Sequence, residues 1–437
     1  LLGAKGTLLF GAHSAGASGR KGVTCAPMSS SAVSAASGPL PVVPLREDAK
    51  VIGLVGLAHA SSHFSHLLLP PLFPVFATEF GLSFSQLGLL MSVFFVISGA
   101  GQAMSGFLVD KVGARPVLFS SFVCFILASL SGYFAHSYAG LMLVAVFAGL
   151  GNAPFHPVDF SILNHRVSAP RLGYAFSAHG LSGNLGWALT PVFLLFFTEL
   201  SGWRSGYLAA ALMYAGILAL LVFKRAHLRT EAVVHHAHGA PHASGAGFLR
   251  LPVVWWCFAF FLLSTLTLAV VQSFASPIMK AMHGVSFEAA TTMITAYMLC
   301  GAFGMLVGGF VAARIPAASD RVVAWAMGAG ALLIVVTATG WLGGFGSMAV
   351  LAGTGFAVGV GGPSRDLMIK KATPKGATGR IYGTVYSGLD IGFAIGPLIY
   401  GIFMDRGMYA TTLVLAGVFL ALSVVAALGV GRRTPIA

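Results

Sequence analysis

Three histidines, His59, His63 and His66, fall at spacings of four and three residues inside an apolar run. On a helix these spacings put all three on one narrow face. Imidazole changes charge near neutrality, so this face can contact a substrate or bind protons; simple hydrogen bonding between helices is the alternative. His156 and Asp159 lie one turn apart in a later apolar run, His179 in the next, and Gln272, Arg365, Tyr386 and Asp390 in runs further on. An ionisable side chain in such a run costs at least ~2.5–3.5 kcal/mol on membrane-insertion scales, and so faces a partner or a cavity. Arg365 suits a carboxylate or phosphonate held by paired hydrogen bonds, or is neutralised locally by Asp366. Asp390 follows Tyr382 and Tyr386 on one helix face and reads as a proton carrier, because burial disfavours its charge; a structural hydrogen bond to Tyr386 or Asn184 is the other reading. The substrate-contact candidates are therefore His59, His63, His66, His156, His179, Gln272, Arg365 and Tyr386. The proton-coupling candidates are His63, Asp159 and Asp390. No metal centre is expected, since one helix cannot complete a tetrahedral shell and no Cys or acidic residue neighbours the three histidines in sequence.

The runs that must position these groups are of membrane length. The chain of 437 residues is 57% hydrophobic and 8% charged, where a soluble chain carries about 25% charged residues. Lipid must therefore solvate it. A span needs roughly 20 mostly apolar residues. Candidates cover 50–77, 85–109, 116–136, 139–163, 172–198, 204–223, 252–276, 287–313, 321–341, 345–369, 378–403 and 408–430. All must be helices, because unpaired backbone groups are costly in lipid and the short alternating segments of a barrel are absent. Of the 25 Lys and Arg, only Arg204, Lys280 and Arg406 fall on one side of this arrangement, and Arg365 lies within a span. The remainder share the side of the termini, which the positive-inside bias assigns to the cytoplasm. The same bias accounts for the net charge of +13 without nucleic acid, since no basic run is interleaved with aromatics. The cysteines Cys25, Cys124, Cys257 and Cys300 are too scattered for a disulfide framework or a ligand set. His227, His235, His236, His238 and His242 make a His-rich linker that reads as solvated polar sequence.

The two halves repeat weakly. At an offset of 203, Gly81 meets Gly284, Ser83 meets Ser286, Gly101 meets Gly304 and Gly106 meets Gly309; at 206, Pro157 meets Pro363, Gly186 meets Gly392 and Pro191 meets Pro397. Matched Gly and Pro positions in order predict two six-helix bundles related by an axis along the membrane normal. Asp159 is thereby matched with Arg365 and Asn184 with Asp390. Opposite charges at matched positions predict a gate: Asp159 and Arg365 bridge the bundles when the cytoplasmic side closes.

Gly106-Phe-Leu-Val-Asp-Lys-Val-Gly-Ala-Arg115 joins the second and third spans. Its glycines allow close helix approach, Asp110 can cap or pair, and Lys111 and Arg115 hold the turn on the cytoplasmic side. The stretch resembles the loop motif of the major facilitator superfamily, G-x-L-x-D-[RK]-x-G-[RK]-[RK], with Ala114 where a basic residue is common. The resemblance extends over nearly all of residues 50–430. It implies a gating role for Gly106, Asp110, Lys111, Gly113 and Arg115 beside Asp159 and Arg365. Gly151-Asn-Ala-Pro-Phe-His-Pro157 and the Gly/Asn-rich stretch Ser177–Gly186 look like the fosmidomycin-resistance group of exporters. Val158-Asp159 departs from the Glu-Ser that can follow Phe-His-Pro in that group.

The expectation is an all-α membrane protein with twelve transmembrane helices in two pseudo-symmetric six-helix bundles, 50–223 and 251–430. A cytoplasmic linker 224–250 joins them, and a short tail 431–437 follows. Residues 1–49 read as a disordered tail, with 1–27 an artefact upstream of Met28. Two rocking bundles make a secondary transporter. Nothing resembles a phosphate loop, so no ATP or other cofactor is implied, and no nucleophile–base constellation suggests an enzyme. The implied partners are a small-molecule substrate, protons and the lipid bilayer of the inner (plasma) membrane, with a monomer sufficient. Proton-coupled export of a small organic or anionic compound is the first expectation. Proton-coupled uptake of an organic anion and a non-transporting membrane sensor are the alternatives.

Overall fold

The computed structural model describes residues 43–230, 249–372 and 378–433. The tail before residue 43, and His235, His236, His238 and His242 of the linker, lie outside the described residues. Among the described residues the chain is built of helices and turns. They are α1 (Leu45–His66), α2 (Phe73–Phe80), α3 (Phe84–Val112), α4 (Ala114–Tyr133), α5 (Tyr138–Asn152), α6 (Phe155–Arg166) and α7 (Leu172–Ser201). They continue with α8 (Trp203–Phe223), α9 (Pro252–His283), α10 (Phe287–Arg314), α11 (Ser319–Ala338), α12 (Gly343–Ala372), α13 (Thr378–Asp405) and α14 (Tyr409–Gly431). They form 12 segments long and apolar enough to cross a membrane. Bulky apolar side chains stand outward: Phe107 is 80% exposed, Trp325 81% and Phe345 83%. Such an exterior needs lipid.

Two spans expected as single helices are broken. The first ends as α1 at His66 and resumes as α2 after a 3-10 turn over Pro70–Leu72. Pro70 and Pro71 supply no N–H, so the α-helical ladder cannot run through them. It also starts at Leu45, earlier than the expected end of the tail at 49. The fourth divides at Ala153–Pro154 into α5 and α6, for the same reason. This second break sets Asn152 and His156 on either side of an interrupted ladder in mid-span, a position where transporters form binding sites.

The repeat appears in the packing. α1 packs on α7 as α9 packs on α13; α3 on α5 as α10 on α12; α4 on α8 as α11 on α14. Between the halves, α3 meets α13 and α7 meets α10. Matched residues do matched jobs. Gly81 and Gly284 end α2 and α9 at φ 63° and 62°, where a side chain would strain the backbone. Ser83 and Ser286 then cap α3 and α10, accepting from the N–H of Gln86 and Ala289. Gly186 seats α7 against the Ala60 carbonyl of α1, and its counterpart Gly392 seats α13 against the Leu262 carbonyl of α9.

The two bundles touch closely at the end remote from residues 43 and 433, here called distal. A Cβ on Gly88 would overlap the Pro397 carbonyl, Phe73 lies 6.0 Å from Phe274, and Thr295 Oγ1 donates to the Ala188 carbonyl at 2.8 Å. Asp405, at the end of α13, accepts from the N–H groups of Phe84 and Ser85 at 2.5 and 3.1 Å. These are free donors at the N-terminus of α3, which also attracts negative charge. Asp405 thus latches the distal end shut from the opposite bundle. Asp405→Ala is expected to shift the equilibrium toward distal-open by roughly 2- to 10-fold, at the modest net worth of exposed hydrogen bonds. Spin-label distances across this seam check it; an unchanged distribution refutes the latch.

Candidate functional site

Small residues bring α7 against α1 and set the site. A Cβ on Gly183 would meet the His63 ring at 2.7 Å and His59 Nε2 at 3.0 Å. Gly186 leaves no room before the Ala60 backbone. These glycines therefore serve packing within one bundle, while a Cβ on Gly180 would meet Met305 of the other bundle at an ordinary 4.0 Å. Gly186→Ala is expected to destabilise by about 1–3 kcal/mol, the usual range for overpacking, because backbone cannot swing aside. Gly180→Ala should be tolerated. Thermal melts of the two variants make the comparison.

The three histidines of α1 do share one face, and α5, α6 and α7 cover it. His66 is fully engaged. Trp187 donates its indole N–H to His66 Nδ1 at 3.2 Å, so Nε2 carries the proton and donates to Asn152 Oδ1 at 2.9 Å. Asn152 accepts from Ser62 as well and donates to Ser98 Oγ at 2.7 Å. The expected substrate contact by His66 is thus replaced, in this conformation, by a structural bond that holds α1 to the break in the fourth span. His63 is half-buried, with its ring 4.2 Å from Trp187, 4.4 Å from His59 and 5.0 Å from His66. Its Nδ1 is buried with no hydrogen bond among the described residues.

Asp159 is fully buried inside the same bundle. His179 Nε2 lies 3.0 Å from its Oδ2 and His59 Nδ1 lies 3.2 Å from the same oxygen. The His59 and His179 rings stack at 3.5 Å. Three helices, α1, α6 and α7, thus assemble a group that no single helix supplies. His156 points elsewhere: its Nδ1 donates to Gln102 Oε1 at 2.8 Å. Gln102 in turn faces Asp390 Oδ2 at 3.5 Å, across the seam between α3 and α13. A line of polar groups therefore runs from one bundle to the carboxylate of the other.

On the second bundle, Arg365 donates from Nε to Asp366 Oδ1 at 2.9 Å and lies 5.2 Å from the Phe261 ring, whose centroid is 4.8 Å from that of Tyr386. The bridge from Asp159 to Arg365 is not formed here. With the distal end latched, each charge keeps a partner of its own: the histidines for Asp159, the neighbouring Asp366 for Arg365. Asn184 donates to the Gly180 carbonyl and Met305 Sδ rather than to Asp390. Gln272 is buried and its Nε2 has no hydrogen bond among the described residues. At the α3–α4 turn, Asp110 and Lys111 are exposed and Arg115 is half-buried. Gly113 provides the turn at φ 83°, and the next N–H, of Ala114, donates to Thr230 Oγ1 at 2.9 Å. Gly106 faces open space, so it serves no close approach in this conformation.

The model of one protein family, the Major Facilitator Superfamily, matches residues 55–317 and 263–436. The chain belongs to that superfamily. Among curated relatives of this superfamily member, the fosmidomycin resistance protein of Escherichia coli (strain K12) is 26% identical over 270 residues, which is 61% of this chain. The chain spans 65% of that relative's length. The probable sulfoacetate transporter SauU of Cupriavidus necator is 21% identical, with 86% of this chain and 92% of the relative covered. Among solved structures, the bacterial homologue of the lysosomal transporter Spinster, inward-facing and unoccupied, superposes with a TM-score of 0.69 at 18% identity, covering 90% of this chain and 98% of that one. Membership and the 12 candidate spans make the chain a multi-pass membrane protein of that superfamily's helical fold.

Gln102, Asn152, Trp187 and Ser98 belong to the site and were not singled out from sequence. Each is a polar group in an apolar run, which is the available signal. Helix periodicity shows that such a group exists but not which neighbouring helix it meets.

Proposed function

We propose that this transporter couples export of a small organic or anionic compound to protons, as a monomer in the plasma membrane with both termini cytoplasmic. The observation that carries the reading is the contact of Asp390 with Gln102 at the seam, and of Gln102 in turn with His156. A carboxylate placed where the two bundles slide past each other changes its surroundings as they rock. It can therefore be loaded with a proton on one side and emptied on the other. His63 of α1, and Arg365 with Tyr386 in the second bundle, are the side chains that would supply contacts for an anionic or polar compound. Export is favoured over uptake by the likeness to a protein named for fosmidomycin resistance. Uptake of an organic anion is the second reading, supported by Arg365 and by the relative named as a probable sulfoacetate transporter.

The test is flux in proteoliposomes under an imposed pH gradient, with phosphonates and small carboxylates as probes. Movement of a probe against its own gradient, collapsing when a proton ionophore is added, is the expected result. Binding without any flux would identify a sensor instead and overturn the reading.

A further inference from the structure

We infer that His59, Asp159 and His179 form a binding site for a borderline divalent metal ion of the Zn²⁺, Co²⁺ or Ni²⁺ type. Sequence spacing argued against a metal because the histidines of α1 have no acidic neighbour along the chain. The fold removes that objection. It brings a carboxylate from α6 and an imidazole from α7 to the imidazole of His59, with the three donor atoms all within 4.8 Å of one another.

The local geometry favours an ion over a plain hydrogen-bond network. His59 Nδ1 approaches Asp159 Oδ2 at 3.2 Å but is left without a hydrogen bond, and the other carboxylate oxygen, Oδ1, is also buried without one. A buried carboxylate oxygen left unpaired is costly. A cation at Oδ2 gives His59 Nδ1 a partner and neutralises the carboxylate to which the unpaired Oδ1 belongs. Metal–ligand bonds of roughly 2.0–2.2 Å in a tetrahedral shell put neighbouring donors about 3.3–3.5 Å apart. The contacts of 3.0 and 3.2 Å fall a few tenths of an ångström short and the two imidazole nitrogens lie within 4.8 Å of each other, so closing on an ion needs a small outward movement of the carboxylate and a turn of the stacked rings. Two imidazoles and one carboxylate suit zinc, cobalt and nickel and not magnesium or calcium, which take oxygen shells. The fourth position is left for water, since His156 is engaged with Gln102. All three ligands belong to one bundle, so the ion pins α1, α6 and α7 together without joining the two halves. The site stands apart from Asp390 and does not rest on the coupling proposed above.

The test uses the full chain purified in detergent, with His235, His236, His238 and His242 replaced by alanine so that the linker cannot bind the probe. Zn²⁺ is titrated by calorimetry, and Co²⁺ is followed by visible absorption. One saturable equivalent is expected, with the strong d–d bands of four-coordinate cobalt, a Zn²⁺-dependent rise in melting temperature, and no competition from excess Mg²⁺. Asp159→Asn and His179→Gln should each weaken binding by at least ~10-fold, a loss that even outer-shell changes at metal sites produce. The rise in melting temperature needs no site substitution and stands if a variant does not fold. Absence of saturable binding, or binding that both variants leave unchanged, overturns the proposal and leaves the cluster a proton or hydrogen-bond network only.

Discussion

Asp390→Asn is expected to abolish accumulation driven by a pH gradient while exchange of substrate at equal pH continues. The substitution is nearly isosteric. Its amide oxygen can still accept from Gln102 Nε2, which faces Asp390 at 3.5 Å, and it adds little volume beside Gly99, where a Cβ would already meet the Asp390 side chain at 3.0 Å. What it removes is the ability to carry a proton. If coupling runs through this carboxylate, the bundles still rock with substrate bound, but no proton is exchanged for it. Gradient-driven uptake or efflux in proteoliposomes should fall to the level set by the substrate gradient alone. A variant that concentrates substrate as well as the parent shows that protons bind elsewhere or that another ion drives transport. Gln102→Ala is the companion: it cuts the line to His156 and removes one hydrogen bond from the carboxylate but leaves the carboxylate itself in place, so it should slow coupled flux without abolishing it.

The fold was legible because lipid imposes few solutions and the repeat marks them. Gly81 with Gly284 and Ser83 with Ser286 are paired along the sequence and prove to end and begin matched helices. The breaks in the first and fourth spans were less legible. Hydropathy runs straight through Pro70–Pro71 and Pro154, and only the backbone chemistry of proline interrupts the helix there. Within the site, the shared face of His59, His63 and His66 followed from spacing alone. Their partners did not. His179 meets Asp159, and Gln102 meets His156, because of how α7 and α3 are rotated about their axes. That rotation depends on small residues such as Gly183, whose missing side chain leaves room for the His63 and His59 rings. Matched positions in a repeat predict symmetric placement, not contact, which is why Asp159 and Arg365 can be equivalent and still apart in one state of a rocking molecule.

The second large effect is expected at Asp159, and it distinguishes two partnerships of the same side chain. In the distal-closed state Asp159 is held by His59 and His179, so Asp159→Ala strands two buried imidazoles. Double-mutant cycles on thermal stability should give a coupling of about 0.5–3 kcal/mol between Asp159→Ala and His179→Ala, the range for residues in contact. Between Asp159→Ala and Arg365→Ala the effects should add to within about 0.3–0.5 kcal/mol, as for separate sites. The balance changes if the distal latch is cut. Asp405→Ala favours distal opening, which in a rocking transporter closes the opposite end, where the matched halves of α6 and α12 converge. In that background a coupling between Asp159 and Arg365 should appear, and the coupling to His179 should weaken as the carboxylate is drawn across. Coupling to Arg365 in neither background removes the gate. Arg365 then remains to be tested as an anion anchor, through loss of probe binding in Arg365→Ala with no change in spin-label distances.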